Sequence, residues 1–357
     1  MWNRFSDDCY CCSTNSPEEF IREIGEMENN TGWVKANVKE MTVAPDPGRK
    51  SGLLLNCCPL RKIAYPSLYE RAHIGGTALG KLSAGDLSRV LNLCLQTSDK
   101  DSAAQLVICG ERISAVHSGE YVRLPAKEIF QSADSILRKR FSGTEFRSGY
   151  LDHRLAAANY EIGDERISAR YGKILEPLGA SAAVTVETSN VGLSGVQVLP
   201  EIVQRGISFI IGKSLTVKHQ GRDATMEKVR ENANMTWSLI NQSILSFGKM
   251  KEIPIQYPIP CYCNVAKRIG VPKKLAMAAL EDYKTAVDGK LLSNALELYT
   301  ALTGVLVYAK YDKISWHGME DLKETVGRAL TIRFSDYDIP ETEWHMKKSR
   351  GYVPHAA

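Results

Sequence analysis

The periodicity of the chain changes near residue 221, and this change constrains the fold more than any other feature. Before it, short β-prone runs are punctuated by glycine and interleaved with a few helical stretches; after it, apolar residues recur at helical spacing almost throughout. Gln105 to Cys109 and Ile113 to Val116, joined by Gly110-Glu111-Arg112, read as a hairpin. Ala182 to Glu187, Gly195 to Leu199, Gly206 to Ile211 and Ser214 to His219 read as further strands. Helices are expected after the serine caps Ser16 and Ser83, with Pro17 at the first helical position, and over 125–141. Beyond the change, Asp223 to Phe247, Val265 to Ile269, Lys273 to Tyr283, Leu291 to Tyr308 and Met319 to Leu330 are helical in period. Ile253 to Pro260 carries three prolines and reads as an extended connector.

The expected architecture is therefore α+β: a mixed or mainly antiparallel sheet with flanking helices, followed by a mostly helical C-terminal subdomain. Residues 1–50 read as an N-terminal arm and linker, 51–221 as the α+β body, and 222–357 as the helical subdomain with its tail. A length of 357 residues allows one large domain or two modest ones. The 45 basic and 41 acidic residues leave a formal charge of +4, so a nucleic-acid site has to be a local patch rather than a global field.

The longest apolar runs fall well short of the ~18 residues a membrane helix needs, and the start Met1-Trp2-Asn3-Arg4-Phe5-Ser6-Asp7-Asp8 lacks the apolar core of a signal peptide. No membrane partner is expected. The nine cysteines include Cys9, Cys11 and Cys12, and Cys261 and Cys263. Neither cluster has the paired C-x(2–4)-C spacing of a structural zinc site, so reduced, partly buried thiols are expected, with no metal or cofactor.

Four constellations could carry function. Thr188, Ser189, Asn190 and Gly192 belong to a loop of small hydroxyl and amide groups of the kind that offers backbone N–H groups to phosphate; Arg205, Lys218, His219 and Arg222 follow it, the last three around a glycine turn. Arg138-Lys139-Arg140 end a helix and Arg147 follows in an expected loop. Phe141, Phe146 and Tyr150 interleave with them, the base-and-ring texture of single-strand binding surfaces; three bases at a helix C-terminus also complement its dipole. Cys263 to Leu280, with Ala266, Gly270 and Lys273-Lys274, imitates a helix-turn-helix, although its second helix is rich in alanine and methionine, a packing face. The seven histidines show no H-x-x-x-H or H-x-H spacing, no nucleophile-elbow or P-loop string occurs, and Glu161, Asp164 and Glu165 lack the further carboxylates of a metal nuclease.

Over about residues 80–330 the chain resembles the phage/plasmid-like proteins of unknown function found on prophages, phages and conjugative plasmids. The resemblance is carried by Leu87 to Val122 with its Arg112 to Tyr121 run, by Thr188-Ser189-Asn190-Val191-Gly192, by Arg205 and His219 within Arg205 to Gly221, and by Asn294 to Leu330. The family's serine–glutamate pair, cysteine and asparagine–glycine are absent. The resemblance implies DNA metabolism, recombination or host-defence evasion and names no reaction; the cytoplasm, of its own cell or of a host, is expected from the short apolar runs and the missing signal core. The expectation is a non-enzymatic protein that binds nucleic acid, single-stranded DNA in the first instance, through one converging basic surface. The competing expectation is an interaction protein that sequesters a host factor or a nucleotide-like ligand around Asn190 to Arg222. A homo-oligomer is compatible with either.

Overall fold

A computed structural model describes residues 3–97, 103–287, 292–341 and 344. In chain order its elements begin with strand β1 (Cys11–Thr14), helix α1 (Pro17–Asn29), β2 (Thr31–Asn37), β3 (Val43–Pro45), β4 (Leu53–Leu55) and β5 (Cys58–Pro59). Then come α2 (Tyr65–Arg71), α3 (Ala84–Gln96), β6 (Ala103–Cys109), β7 (Arg112–Ser118), α4 (Ala126–Arg140), β8 (Thr144–Asp152) and β9 (Ala156–Ile162). They are followed by α5 (Glu165–Leu175), β10 (Ala180–Thr188), β11 (Val196–Gln204), β12 (Ile207–Ile210), β13 (Leu215–Val217), α6 (Met226–Asn234) and α7 (Thr236–Lys249). The chain closes with β14 (Pro254–Ile255), α8 (Pro258–Ile269), α9 (Lys273–Val287), β15 (Ser293–Asn294), α10 (Ala295–Tyr311) and α11 (Trp316–Gly327).

The fold is α+β. The largest sheet has the strand order β1-β8-β9-β10-β11-β12, with β13 paired to β11. The ladders β1–β8, β11–β12 and β11–β13 are antiparallel, as are those of the three-stranded sheets β2-β6-β7 and β3-β4-β5. Among the described residues no helix is long and apolar enough to cross a membrane.

The chain forms two compact units, neither of them one continuous stretch. The first comprises 1–160, 185–198 and 215–235; the second comprises 161–184, 199–214 and 236–357. The division differs from the expected one, in which the body ended at 221. Strands β10 and β11 each run from one unit into the other, and α6, after the change in periodicity, belongs to the first unit. Residues 1–50 are not an arm. They hold β1, α1, β2 and β3, and Phe5, Phe20, Ile24, Val38, Met41 and Val43 are buried. The irregular composition of this stretch hides these single apolar anchors, each set by tertiary packing rather than by a periodic run.

The cap chemistry decides most helix starts. Ser16 accepts from the Glu19 amide and Pro17 opens α1; Ser83 accepts from the Asp86 amide; Thr225 accepts from the Lys228 amide at α6. Two local expectations are corrected. Asp223 to Phe247 holds two helices, α6 and α7, meeting at Met235. The proline-rich connector ends early, because Pro258 and Pro260 form the first turn of α8, where amides have no intrahelical acceptor and a missing N–H costs nothing.

An apolar cluster of the first unit gathers Leu53, Leu55, Leu68, Leu91, Leu95, Leu106 and Ile113 from β4, α2, α3 and the β6–β7 hairpin. In the second unit Phe209 and Phe247 both pack edge-on to Tyr299 and tilted to each other, with centroids 5.8–6.3 Å apart. The Tyr299 hydroxyl donates to the Ile210 carbonyl at 2.6 Å, so the ring is buried without stranding its polar end.

Two glycines of the first unit separate backbone freedom from space. Gly110 and Gly221 both have left-handed backbone, at φ 56° and 84°. A Cβ on Gly110 would overlap the backbone of Phe5 and Ser6, whereas one on Gly221 meets nothing within 4 Å. Gly221→Ala should therefore cost about 1 kcal/mol for its backbone alone, and Gly110→Ala about 3 kcal/mol or more. Urea midpoints of the two variants check this, and equal midpoints would contradict the close approach at Gly110.

Candidate functional site

The loop after β10 is built inward, not outward. Thr188 and Ser189 are buried, and the Ser189 hydroxyl donates to the Arg154 carbonyl at 2.6 Å while accepting from the amides of Val191 and Leu193, both at 3.3 Å. Those amides are the ones an anion would have used. A side chain of the loop itself has taken them, so Thr188, Ser189, Asn190 and Gly192 form a closed turn rather than a phosphate cradle.

This turn rests on a stack of rings. His117 and Tyr121 lie 3.7 Å apart between centroids and nearly parallel, and His219 lies 4.9 Å beyond Tyr121. His117 Nε2 meets the Asn190 carbonyl at 2.7 Å, the Tyr121 hydroxyl donates to the Ser189 carbonyl at 3.2 Å, and His219 Nδ1 meets the Val122 carbonyl at 3.1 Å. Trp33 stacks at the side of His117 and Tyr121, with the Arg123 guanidinium 5.9 Å from the indole centroid. Burial pushes His117 down to about 4, against the Asn190 carbonyl, which favours its protonated form, and burial likewise lowers His219. Below the turn, Ser114 Oγ, His153 Nδ1 and Asn190 Oδ1 are buried without partners, and all three residues line one cavity of about 50 Å³. Its size and polarity suit ordered water.

The basic residues of the first unit stand at two ends of one helix. Val122 donates its amide to the His219 carbonyl at 2.7 Å, which sets Lys218, His219 and Arg222 beside the start of α4. Arg138, Lys139 and Arg140 end the same 15-residue helix, about 21 Å further along. The Arg138 guanidinium is bound to Asp134 at 2.9 Å, and His219 is buried. Arg147 stands in strand β8 rather than a loop, and the accompanying rings Phe141 and Tyr150 are core residues, Tyr150 within the buried run Gly149-Tyr150-Leu151. Lys139, Lys218 and Arg222 are exposed. Arg205 belongs to the second unit.

The other candidates also find structural employment. Asp164 caps α5 and pairs with Arg166 at 2.7 Å, and Glu161 accepts from the Ser181 hydroxyl. In the helix-turn-helix imitation, Gly270 turns the chain at φ 88°, but Leu275, Ala276, Ala279 and Leu280 of α9 are buried, so the helix is used for packing. His345 and His355 lie outside the described residues. Among the described residues no three His, Cys, Asp or Glu side chains are grouped to hold a metal ion.

Among the described residues a cavity lies within the second unit, and it was missed in the sequence, apart from Arg205. It measures about 790 Å³ and is lined by α5, the β11–β12 turn, α7, α9 and α10. Ile174, Leu178, Ile207, Phe209, Ala279, Leu296 and Val307 supply apolar wall, and Ala301 and Gly304 keep α10 thin along it. Lys173, Arg205 and Lys251 line it while exposed to solvent, which places them at its mouth; Asp282 and Glu297 also contribute. The legible signal was the i, i+3, i+4 run of Thr300, Ala301, Thr303, Gly304 and Val307 on a helix otherwise apolar all round. Compared with protein-family models, with curated proteins and with solved structures, the chain finds no match in any of the three.

The depressed histidines give the first unit a distinct pH response. In the unfolded chain each imidazole takes up a proton near pH 6.5, whereas folded His117 resists until about 4. Between those values the unfolded state binds more protons, so stability is fully present above about pH 6.5 and is lost as pH falls towards 4. Going from pH 7 to 4.5 should cost roughly 2–3 kcal/mol through His117 alone. His117→Gln should narrow the gap between urea midpoints at the two pH values; an unchanged gap would remove His117 as its source.

Proposed function

We propose that the chain is a binding protein that holds one small, largely apolar molecule in the cavity of its second unit. The observation that carries this reading is the cavity itself. Its volume of about 790 Å³ lies in the range that small-molecule sites occupy, and its wall is mainly apolar with a few polar groups at the opening, the usual composition of such sites. A cavity of this size is not a packing fault. Protein interiors leave few voids larger than a water molecule, and each unfilled volume lowers stability. Ala301, half-buried in the cavity wall, stands where a leucine would fill space, while Gly304 and Ala279 are small because α9 and α10 approach closely there, a Cβ on Gly304 lying 3.3 Å from Ala279.

The single-stranded DNA reading has weaker support from the same geometry, because Phe141 and Tyr150 are buried and the cations of the first unit stand at two ends of α4. The competing sequence reading, a small ligand, is kept, with its place moved from the Asn190 turn to the cavity that Arg205 borders. The likeness to phage and plasmid proteins names no reaction and fits either reading.

N-phenyl-1-naphthylamine, a neutral fluorophore that brightens in apolar surroundings, should bind the full chain with a stoichiometry of one. Ala301→Phe, which places a ring in the cavity from a half-buried helical position, should weaken that binding at least tenfold while leaving the far-ultraviolet circular dichroism unchanged. Undiminished binding in the variant, or none in the parent, would overturn the proposal. Salt-sensitive capture of a labelled oligonucleotide in place of fluorophore binding would restore the polyanion reading.

A further inference from the structure

We infer that the occupant of this cavity is an amphipathic anion, an apolar body carrying one carboxylate or phosphate head, with the head held at the mouth by Arg205, Lys173 and Lys251. The inference rests on the binding proposal above and deepens it.

The charges at the mouth are unequal in availability. Arg205, Lys173 and Lys251 are exposed and make no ion pair among the described residues. The carboxylates are fewer, and one of them, Glu297, is engaged on both oxygens. Asp282 accepts from the Tyr308 hydroxyl at 2.8 Å. Glu297 accepts from the Ser293 hydroxyl at 2.8 Å and the Asn294 amide at 3.1 Å, and it stands in the first turn of α10, where the helix dipole stabilises a negative charge. The mouth thus sets three exposed cations without an ion pair among the described residues against one exposed carboxylate, Asp282, and one, Glu297, held in the cap of α10, and this balance favours an incoming anion.

The placement of Arg205 supports the same conclusion. Arg205 and Gly206 are the two central residues of the tight turn between β11 and β12, at φ 51° and 74°. Such turns favour asparagine, aspartate or glycine at the first central position, since an arginine gains nothing for the turn and is strained by left-handed backbone. The residue present is the one that carries a forked, permanently charged group to the edge of the cavity, and guanidinium matches carboxylate and phosphate oxygens two at a time. Strained backbone of this kind persists where a side chain is needed in a particular place.

The test displaces N-phenyl-1-naphthylamine from the full chain with four molecules sharing one ten-carbon tail: decanoate, decyl phosphate, decanol and decyltrimethylammonium. Decanoate and decyl phosphate should displace it at concentrations about tenfold below decanol, as a charge-assisted contact gives, and decyltrimethylammonium should be the weakest of the four. Which of the two anions is stronger identifies the head group. Arg205→Asn, which suits the turn, and Lys251→Gln should each raise the concentration of decanoate needed several-fold and that of decanol by much less. If the fluorophore binds but decanol equals the anions, or if the variants leave decanoate unaffected, the anion assignment is overturned and the binding site stands. If the fluorophore does not bind at all, both fall.

Discussion

The first unit is organised around a guanidinium that has no access to water. Arg61 is 2 % exposed, and arginine cannot shed its proton to escape the cost of burial. Its surroundings therefore have to answer it. One nitrogen donates to Asp8 at 2.5 Å and to the Asp7 carbonyl at 3.2 Å; the other donates to the carbonyls of Phe5 and, at 3.1 Å, Cys109. Asp8 also meets Arg49 at 2.6 Å and Arg112 at 3.0 Å, and these partners hold its carboxyl below the usual carboxylate range against the opposing effect of burial. Three of the four acceptors lie in residues 5–8, so that segment is clamped to the β6–β7 hairpin. Breaking one partner of a buried ion pair typically costs roughly 3–5 kcal/mol, far more than a surface pair.

The clamp extends further than its own contacts. His153 Nε2 meets the Asp7 carbonyl at 2.7 Å, which ties the turn between β8 and β9 to the same segment. The next residue, Arg154, offers its carbonyl to Ser189, and Ser189 closes the turn that His117 and Tyr121 support. An N-terminal segment, a hydroxyl-rich loop and a late histidine are widely separated in the chain, yet they are one hydrogen-bonded path. The perturbed histidines along it are lowered first by desolvation, and each has a backbone carbonyl as partner. Perturbed titration marks reactive sites only when a substrate can reach the group; here the rings are sealed by the turn they hold.

What could be read in the sequence follows from this. Local chemistry was legible wherever one or two residues settle an outcome: Ser16, Ser83 and Pro17 start helices, Gly110 turns a hairpin, and the period of 226–249 gives helix. Features decided by distant partners were not. Strands β8 and β9 were missed because Phe146, Tyr150 and the run Ala156-Ala157-Ala158 gain their strand character from neighbours on both sides, not from alternation. The basic patch was misread because composition cannot tell a ring on a surface from a ring in a core, and Phe141 is wholly buried. Arg205 was read as a nucleic-acid contact, but its company is Ile207, Lys251 and α10, which no spacing in the sequence joins to it.

Arg61 and Arg205 show two opposite uses of the same side chain. The buried guanidinium is matched once, by the protein itself, and contributes rigidity; no ligand can use it without opening the clamp. The exposed one stays hydrated while the cavity mouth is open, so it needs no internal carboxylate and carries only the conformational cost of its turn. Its attraction for an anion is weak in water and strengthens as an apolar body fills the space beside it, because excluding water lowers the local dielectric and raises every charge interaction there. Apolar fit and head-group recognition in the second unit are therefore coupled: an anion without a tail meets cations screened by solvent, and a tail without an anion leaves those cations hydrated at the rim. Selectivity for a molecule with both parts follows from this coupling rather than from the affinity of either group alone.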